Sequence, residues 1–391
     1  MAKRVGMEVS IAAAEAVALC DVDVIAAYPI TPQTHIVEHL SELVADGHLD
    51  AEFIPVESEH SAMSCCIGSS AAGARTFTST SSQGYALMSE ICYIAAGLRL
   101  PIVMVTANRA LSAPISIWND HADMMMSRDT GWIQTVAENG QEVLDLIFHA
   151  FRVAEDYRVL LPTIVNLDGF ILSHMIEPMI LPDKEEVAKY LPPYKPKLRL
   201  DPNDPLTMGP VGMPEVYTES KKAHDEVLKA SKAVILEAWK EYGDLFGRYY
   251  HPVETYKTEG AETILISMGS ISETAMTAID ALRAAGKKVG LVRLRLWRPF
   301  PTEELLAALK GAKQVAVLDR ALALNGVCGP LCAEVKAVLY DQASQPHVQN
   351  YIVGLGGRDV TVQNFVEMAD SVAEAAKRGA AMGYEIINVR E

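Results

Sequence analysis

Residues Arg75–Ala107 read RTFTSTSSQGYALMSEICYIAAGLRLPIVMVTA, and three successive patterns in this stretch decide the fold. Arg75–Thr80 is short and bounded by a polar turn, Tyr85–Leu98 carries apolar residues at helical spacing, and Pro101–Ala107 is almost continuously apolar. A strand apolar on both faces and reached through a helix belongs to a parallel sheet covered on both sides. The alternation extends upstream, where Val24–Tyr28 and Phe53–Val56 read as strands and His35–Ala45 and Glu59–Ala72 as helices. Downstream, Gln141–Asp156 reads as a helix and Pro162–Leu167 as another buried strand. At the start of the chain, Ile11, Ala14, Val17 and Ala18 share one face of a helix. Glu8 and Glu15 interrupt the uncharged core that a signal peptide would need there.

Between Leu181 and Pro214 the periodicity stops in a stretch with eight prolines, expected to be an ordered arm over the surface. Residues 221–241, rich in Ala, Lys and Glu, read as a helix. From about Thr258 a second series begins: strand Thr263–Met268, helix Glu273–Ala285, strand Lys288–Leu294, helix Thr302–Leu309, strand Gln314–Leu318. A single core stops growing near ~250–300 residues, so the 391-residue chain is expected to divide. The expected division is a parallel-sheet domain over 1–180, arm and helix over 181–257, and a smaller α/β domain over 258–391.

Lys and Arg number 34 against 50 Asp and Glu, a net charge of -16 that repels phosphate backbones and anionic lipid. Neither nucleic acid nor membrane is expected as a partner, and no window approaches the ~18 apolar residues of a membrane span. The half-hydrophobic composition allows surface hidden against partner subunits. Cysteines at 20, 65, 66, 92, 328 and 332 form no Cys-x-x-Cys pair and have no metal-ligand His spacing. They read as free thiols suited to a reducing cytoplasm, with no metal site in this chain.

In open parallel sheets, ligands lie beyond the carboxyl ends of the strands, which directs attention to four loops. Tyr28-Pro29-Ile30-Thr31-Pro32 is a turn stiffened by two prolines with a hydroxyl at its tip; Thr31 as a helix N-cap is the plainer alternative. Val56–Ala62 places Glu57 and Glu59 at a strand-to-helix junction, where a carboxylate either complements the helix dipole or shares a proton with a ligand's ring nitrogen. Thr78–Gly84, with Ser82 and Gln83, can present hydroxyls and N–H groups, without the spacing of a phosphate loop. Asn108 and Arg109 end an apolar strand; the arginine fork suits a carboxylate ligand, or an ion pair with Asp120 or Asp123.

Taken in order, YPITPQT (28–34), VESEHSA (56–62), TSTSSQGYALMSE (78–90) and TANRALSAPISIWNDHADMM (106–125) resemble the α subunit of pyruvate:ferredoxin oxidoreductases. GPVGMPE (209–215) and GLGGRDVT (354–361) are similar to the same family, so the resemblance spans essentially the whole chain. It implies an α/β chain with a thiamine-diphosphate-binding, pyrimidine-type domain followed by a transketolase C-terminal-like domain. The resemblance assigns the diphosphate and Mg²⁺ to a β subunit, since this chain lacks a Gly-Asp-Gly motif with its distant Asn. It also implies a γ subunit, a ferredoxin-like δ subunit, [4Fe-4S] clusters in the β and δ subunits, external ferredoxin as acceptor and coenzyme A as co-substrate.

By the same resemblance, Glu59 hydrogen-bonds the pyrimidine ring nitrogen, with Glu57 the weaker choice, and Pro29, Ile30, Ser82 and Gln83 line the cofactor. Arg109, Thr31 and Asn108 hold the substrate, Arg109 through its carboxylate and Thr31 through its hydroxyl. Ser-Ser-Gln-Gly and Asn108-Arg109 stand where relatives acting on 2-oxoglutarate carry Ser-Gly-Pro-Gly and Gln-Arg, which points to pyruvate. Branched-chain 2-oxoacids stay open, because an apolar pocket separates methyl-sized differences by only ~1–3 kcal/mol. Oxalate is disfavoured by Thr31 in place of a basic residue. A silent scaffold subunit and a transketolase-like transferase without electron transfer are the rival readings.

Overall fold

The computed structural model describes residues 3–379 and 383–390. In chain order the first unit runs β1 (Lys3–Glu8), α1 (Val9–Leu19), β2 (Val24–Ala27), α2 (Thr34–Ala45), β3 (Glu52–Pro55), α3 (Glu59–Ala71) and β4 (Thr76–Thr80). It continues with α4 (Ser82–Gly97), β5 (Val103–Asn108), α5 (Ala122–Met126), β6 (Ile133–Val136), α6 (Gly140–Ala154) and β7 (Thr163–Asp168). A connecting region holds β8 (Ile176–Leu181), α7 (Lys184–Tyr190) and α8 (Pro214–Phe246). The second unit contains β9 (Val253–Tyr256), β10 (Thr263–Ser267), α9 (Ile271–Ala284), β11 (Val289–Leu294), β12 (Leu296–Arg298) and α10 (Thr302–Ala308). It ends with β13 (Gln314–Asp319), α11 (Pro330–Tyr340), β14 (His347–Ile352), α12 (Val362–Arg378) and β15 (Tyr384–Ile386).

The first sheet has the order β12-β6-β7-β5-β4-β2-β3, parallel except for β12. Alternate residues of β5 serve its two faces, as the two-residue repeat of a strand requires. Val103, Val105 and Ala107 pack with α1, α2, α6 and α8, whereas Met104 packs with α3 and α4. The second sheet, β15-β14-β13-β10-β11-β9, is likewise covered on both sides, by α9 and α12 on one and α10 and α11 on the other.

Several elements differ from the sequence expectation. The chain begins with a strand, because Lys3–Glu8 pairs antiparallel with β8, a partner far along the chain. Inside the expected arm, Lys184–Tyr190 is helical, started by a capping box between Asp183 and Glu186. The helix expected over 221–241 extends over 33 residues, from Pro214 in its first turn to Gly247 at φ 73°. The second sheet starts at β9, ahead of residue 258, and β12 leaves its own unit to pair with β6 at the edge of the first sheet. All six cysteines are free, and five of them are buried.

A buried ion cluster joins the units beside this crossing strand. Arg293 Nη1 lies 2.8 Å from Glu142 Oε2, Arg295 Nη2 lies 2.6 Å from Glu142 Oε1, and Glu138 is 3.0 Å from Arg293. Burial alone would raise the Glu142 carboxyl, but Arg295 and Arg293 outweigh it and bring the pKa from 4.5 down to about 2. With the folded value depressed, this stabilisation is complete above pH 4.5 and is lost as pH falls toward 2. Glu142→Gln leaves two buried arginines short of their partner and is expected to cost about 3–5 kcal/mol. Denaturant midpoints of the two chains should lie well apart at pH 7 and converge below pH 4.5.

Candidate functional site

Strands β2 to β7 are parallel, so the loops after them gather at one edge of the sheet. Glu59 is the first residue of α3, whose N-cap Ser58 accepts the Ser61 N–H at 3.2 Å. Its side chain lies across the start of α4: a Cβ on Gly84 would come within 2.4 Å of Glu59 Oε1 and 2.7 Å of Thr80 Oγ1. Glycine at 84 is what makes room for the carboxylate. Glu59 is only 6% exposed, yet it takes no hydrogen bond or ion pair from any described residue. The carboxylate therefore has no donor among the described residues while its oxygens keep a narrow opening, and a protonated or N–H-bearing ring nitrogen of a ligand supplies the donor it lacks. Glu57, by contrast, is exposed and accepts the Ser61 hydroxyl at 2.5 Å, which lowers its pKa.

Arg109 is also 6% exposed. Its Nε donates to Ser116 O at 2.7 Å and its Nη1 to Thr31 O at 2.9 Å. The expected alternative, an ion pair with Asp120 or Asp123, is not formed: Asp123 accepts the backbone N–H of Arg109 at 3.0 Å, and no described carboxylate pairs with the guanidinium. Burial lowers the guanidinium pKa, with Asp123 opposing the shift. The fork keeps three N–H groups beyond those two bonds, enough for a bidentate carboxylate.

Asp123 is the residue that assembles this corner. It accepts from Ser82 N (2.9 Å), Arg109 N (3.0 Å), Asn108 Nδ2 (2.9 Å) and Met124 N (2.8 Å), joining the loops after β4 and β5 to α5. Burial raises its carboxyl to about 7 against the pull of those donors. Gln33 does similar work on the other flank, its Nε2 donating to Tyr28 O at 2.9 Å and Ser79 O at 3.1 Å.

Three site expectations change. Thr31 is exposed and meets Arg109 through its carbonyl; the helix N-cap is Gln33, not Thr31. Ser82 is fully buried at φ 46°, its N–H on Asp123 and its hydroxyl 2.6 Å from Ala110 O, so it presents neither group outward. Asn108 is also fully buried, its amide donating to Asp123 and to Asn166 Oδ1 at 3.1 Å, and it acts by positioning its neighbour Arg109. Pro29 and Gln83 keep accessible surface, and Ile30 is partly exposed beside them.

The second unit clamps the loop that carries these groups. Asp168, at the end of β7, is 3.0 Å from His121 Nε2 and accepts the Ser270 N–H at 2.8 Å and hydroxyl at 2.5 Å. Arg320 Nη1 is 2.7 Å from the same carboxylate, an ion pair without hydrogen-bond alignment. Against the effect of burial, Arg320, His121 and Ser270 hold the Asp168 carboxyl far below the usual range. The GLGGRDVT segment closes over the loop as well: Gly356 N donates to Asp120 Oδ2 at 3.1 Å. Gly357, at φ 77°, approaches Trp118 so closely that a Cβ would meet the Trp118 Cβ at 2.5 Å.

Comparison with known proteins gives the family. The family described as pyruvate flavodoxin/ferredoxin oxidoreductase, thiamine diP-bdg, matches residues 15–240, and pyruvate:ferredoxin oxidoreductase core domain II matches residues 261–365. Pyruvate synthase subunit PorA of Methanocaldococcus jannaschii is 52% identical over 93% of both chains. Ketoisovalerate oxidoreductase subunit VorA of Pyrococcus horikoshii is 46% identical over 94% of this chain and 93% of its own. The fold matches the 2-oxoglutarate:ferredoxin oxidoreductase of Magnetococcus marinus with a TM-score of 0.69 at 20% identity, covering 95% of this chain and 65% of that one. Matched along both its units, the chain belongs to the pyruvate flavodoxin/ferredoxin oxidoreductase family.

Proposed function

We propose that this chain is the α subunit of a thiamine-diphosphate-dependent 2-oxoacid:ferredoxin oxidoreductase that converts pyruvate, coenzyme A and oxidised ferredoxin into acetyl-CoA, CO₂ and reduced ferredoxin, reversibly. The observation that carries this reading is the carboxylate of the largely buried Glu59, without a described partner, over Gly84 at the same sheet edge as an Arg109 fork free of any described carboxylate. Thiamine diphosphate, when bound, supplies the nucleophilic carbon and the electron sink for decarboxylation.

The chain's own residues do the rest. Glu59 exchanges a proton with the aminopyrimidine ring nitrogen, and Gly84 leaves the space for it. Arg109 binds the 2-oxoacid carboxylate and orients the bond that breaks, with Asp123 and Asn108 fixing its backbone. Ile30, Pro29 and Gln83 border the site. Exposed Leu87, Ile115 and Trp118, on α4 and the loop after β5, give a partner subunit apolar surface to cover.

That partner is a β subunit holding the diphosphate and Mg²⁺. The [4Fe-4S] clusters lie in partner subunits, among them a ferredoxin-like δ subunit beside γ, and the complex works in the cytoplasm. No helix among the described residues is long and apolar enough to cross a membrane.

Gly84→Ala pushes a methyl group into the Glu59 carboxylate, and a displacement of that size costs about 100-fold in turnover. The kcat of the assembled variant, measured by viologen reduction, should fall accordingly while complex assembly persists. The substrate is tested with the anaerobically purified native complex, supplied with thiamine diphosphate, Mg²⁺ and coenzyme A. Ferredoxin or viologen reduction is then compared with pyruvate, 2-oxoisovalerate, 2-oxoglutarate and oxalate. Pyruvate should give the highest kcat/KM. The 46% identity to a ketoisovalerate subunit makes 2-oxoisovalerate the second reading, and preference for it would replace pyruvate while keeping the roles of Glu59 and Arg109. No activity with any acid in a cluster-replete complex would favour the scaffold or transferase reading.

A further inference from the structure

We propose that Glu8, His35 and His174 form a site for one divalent transition-metal ion of the zinc class, at the surface beside the Thr31 turn. The three residues come from the end of β1, the first turn of α2 and the loop between β7 and β8. Each offers a ligand atom, and the three atoms lie within 4.8 Å of one another. His35 Nδ1 is 2.6 Å from Glu8 Oε1, and the His35 and His174 ring centroids are 4.6 Å apart.

Backbone structure fixes this meeting. Glu8 stands opposite Ile176 in the β1–β8 ribbon. Immediately beyond it, Val9 N donates to Met175 O at 3.0 Å and Ser10 N to Ser173 O at 2.9 Å. The Ser10 hydroxyl also donates to Ser173 O at 2.8 Å, and Ser173 Oγ lies 2.7 Å from His174 Nδ1. His174 is thereby held on both sides of its own position.

The donor set selects the ion. Two imidazoles and one carboxylate suit Zn²⁺ or Fe²⁺, whereas Ca²⁺ and Mg²⁺ prefer oxygen alone. Ligand bonds of ~2.0–2.2 Å around a tetrahedral ion place donor atoms about 3–3.5 Å apart, which side-chain rotation reaches from the present spacing. All three residues are partly exposed, which leaves an approach path and a fourth position for water.

The ion would stiffen the surroundings of the active site. His35 follows Thr31 by four positions, and Pro32 rests on Gly169, where a Cβ would meet its Cγ at 2.5 Å. Phe170 packs on His174 at 4.6 Å between ring centroids and on Trp118 at 4.8 Å. One ion would thus join the loop after β7 to the start of α2.

The test is Co²⁺ titration of the chelator-stripped full-length chain, followed by its visible absorption and by displacement with Zn²⁺. One Co²⁺ per chain is expected, displaced stoichiometrically by Zn²⁺. Changes even outside the ligand shell cost 10- to 100-fold in affinity, so His174→Ala and the isosteric Glu8→Gln should each weaken binding by about 100-fold or more. His39→Ala, which removes a separate pair with Glu15 at 2.8 Å, should leave binding unchanged. Circular dichroism confirms that each variant is folded. The proposal is overturned if the native chain binds no stoichiometric Co²⁺, or if folded Glu8→Gln and His174→Ala bind it as the native chain does.

Discussion

Glu59→Gln is expected to lower the kcat of the assembled complex by about 10²- to 10⁴-fold, the usual contribution of a positioned general acid–base group. Glutamine matches glutamate in size and fits over Gly84, so space is preserved and the exchangeable proton is lost. The native carboxylate has no described hydrogen-bond or ion-pair partner, and its charge serves the fold only through the dipole of α3, worth about 0.3–1 kcal/mol. Thermal stability should therefore fall by no more than about 1 kcal/mol and complex assembly should persist, and the KM for the 2-oxoacid, assigned to Arg109 in the proposed function, should be unchanged. The readout is 2-oxoacid-dependent viologen reduction by complexes matched in cluster content. A Glu59→Gln complex with full activity would remove the acid–base role and establish the silent-scaffold reading. Glu57→Gln is the control: Glu57 is exposed, and its loss should change kcat little.

Arg109→Met should act on the other substrate parameter. Losing one partner of a buried, hydrogen-bonded charge pair costs about 2–4 kcal/mol, or roughly 30- to 1,000-fold in kcat/KM. Much of this should appear in KM, because the substrate carboxylate is already charged in the ground state. Arg109 also supports the Thr31 and Ser116 carbonyls, so a loss of activity by itself does not separate binding from architecture. Arg109→Lys makes the separation: it keeps the charge and removes the fork, and should recover part of the affinity for the 2-oxoacid. Equal kcat/KM in Arg109→Met and the native complex would place the carboxylate elsewhere.

What could be read in advance follows from the range of the forces involved. β5 and β7 were legible because strands buried on both faces need continuous apolar residues, a local requirement. The Glu59 helix was legible because carboxylates at a strand-to-helix junction complement the helix dipole, again a local requirement. β1 was not, since Lys3–Glu8 is a largely exposed ribbon strand whose partner lies at Ile176–Leu181. The three residues of β12 were missed for the same reason: their pairing with β6 spans two units. In the candidate site, the order of the loops and the family resemblance pointed to Glu59 and Arg109, but not to the direction in which a small polar side chain turns. Asn108 turns inward to donate its amide to Asp123, and Ser82 to donate its hydroxyl to Ala110 O while its backbone N–H is held by Asp123, which showed in the sequence only as a candidate partner for Arg109.

β12 also sets a timetable for biosynthesis. The first sheet draws its edge strand from Leu296–Arg298, so β6 stays uncapped on the ribosome until most of the polypeptide has emerged. A strand edge left open that long invites pairing with other nascent chains. A circular permutation with its new termini between β6 and β12 places Leu296–Arg298 ahead of β6 in the order of synthesis, so the edge meets its partner as it emerges, and should raise the yield of soluble chain.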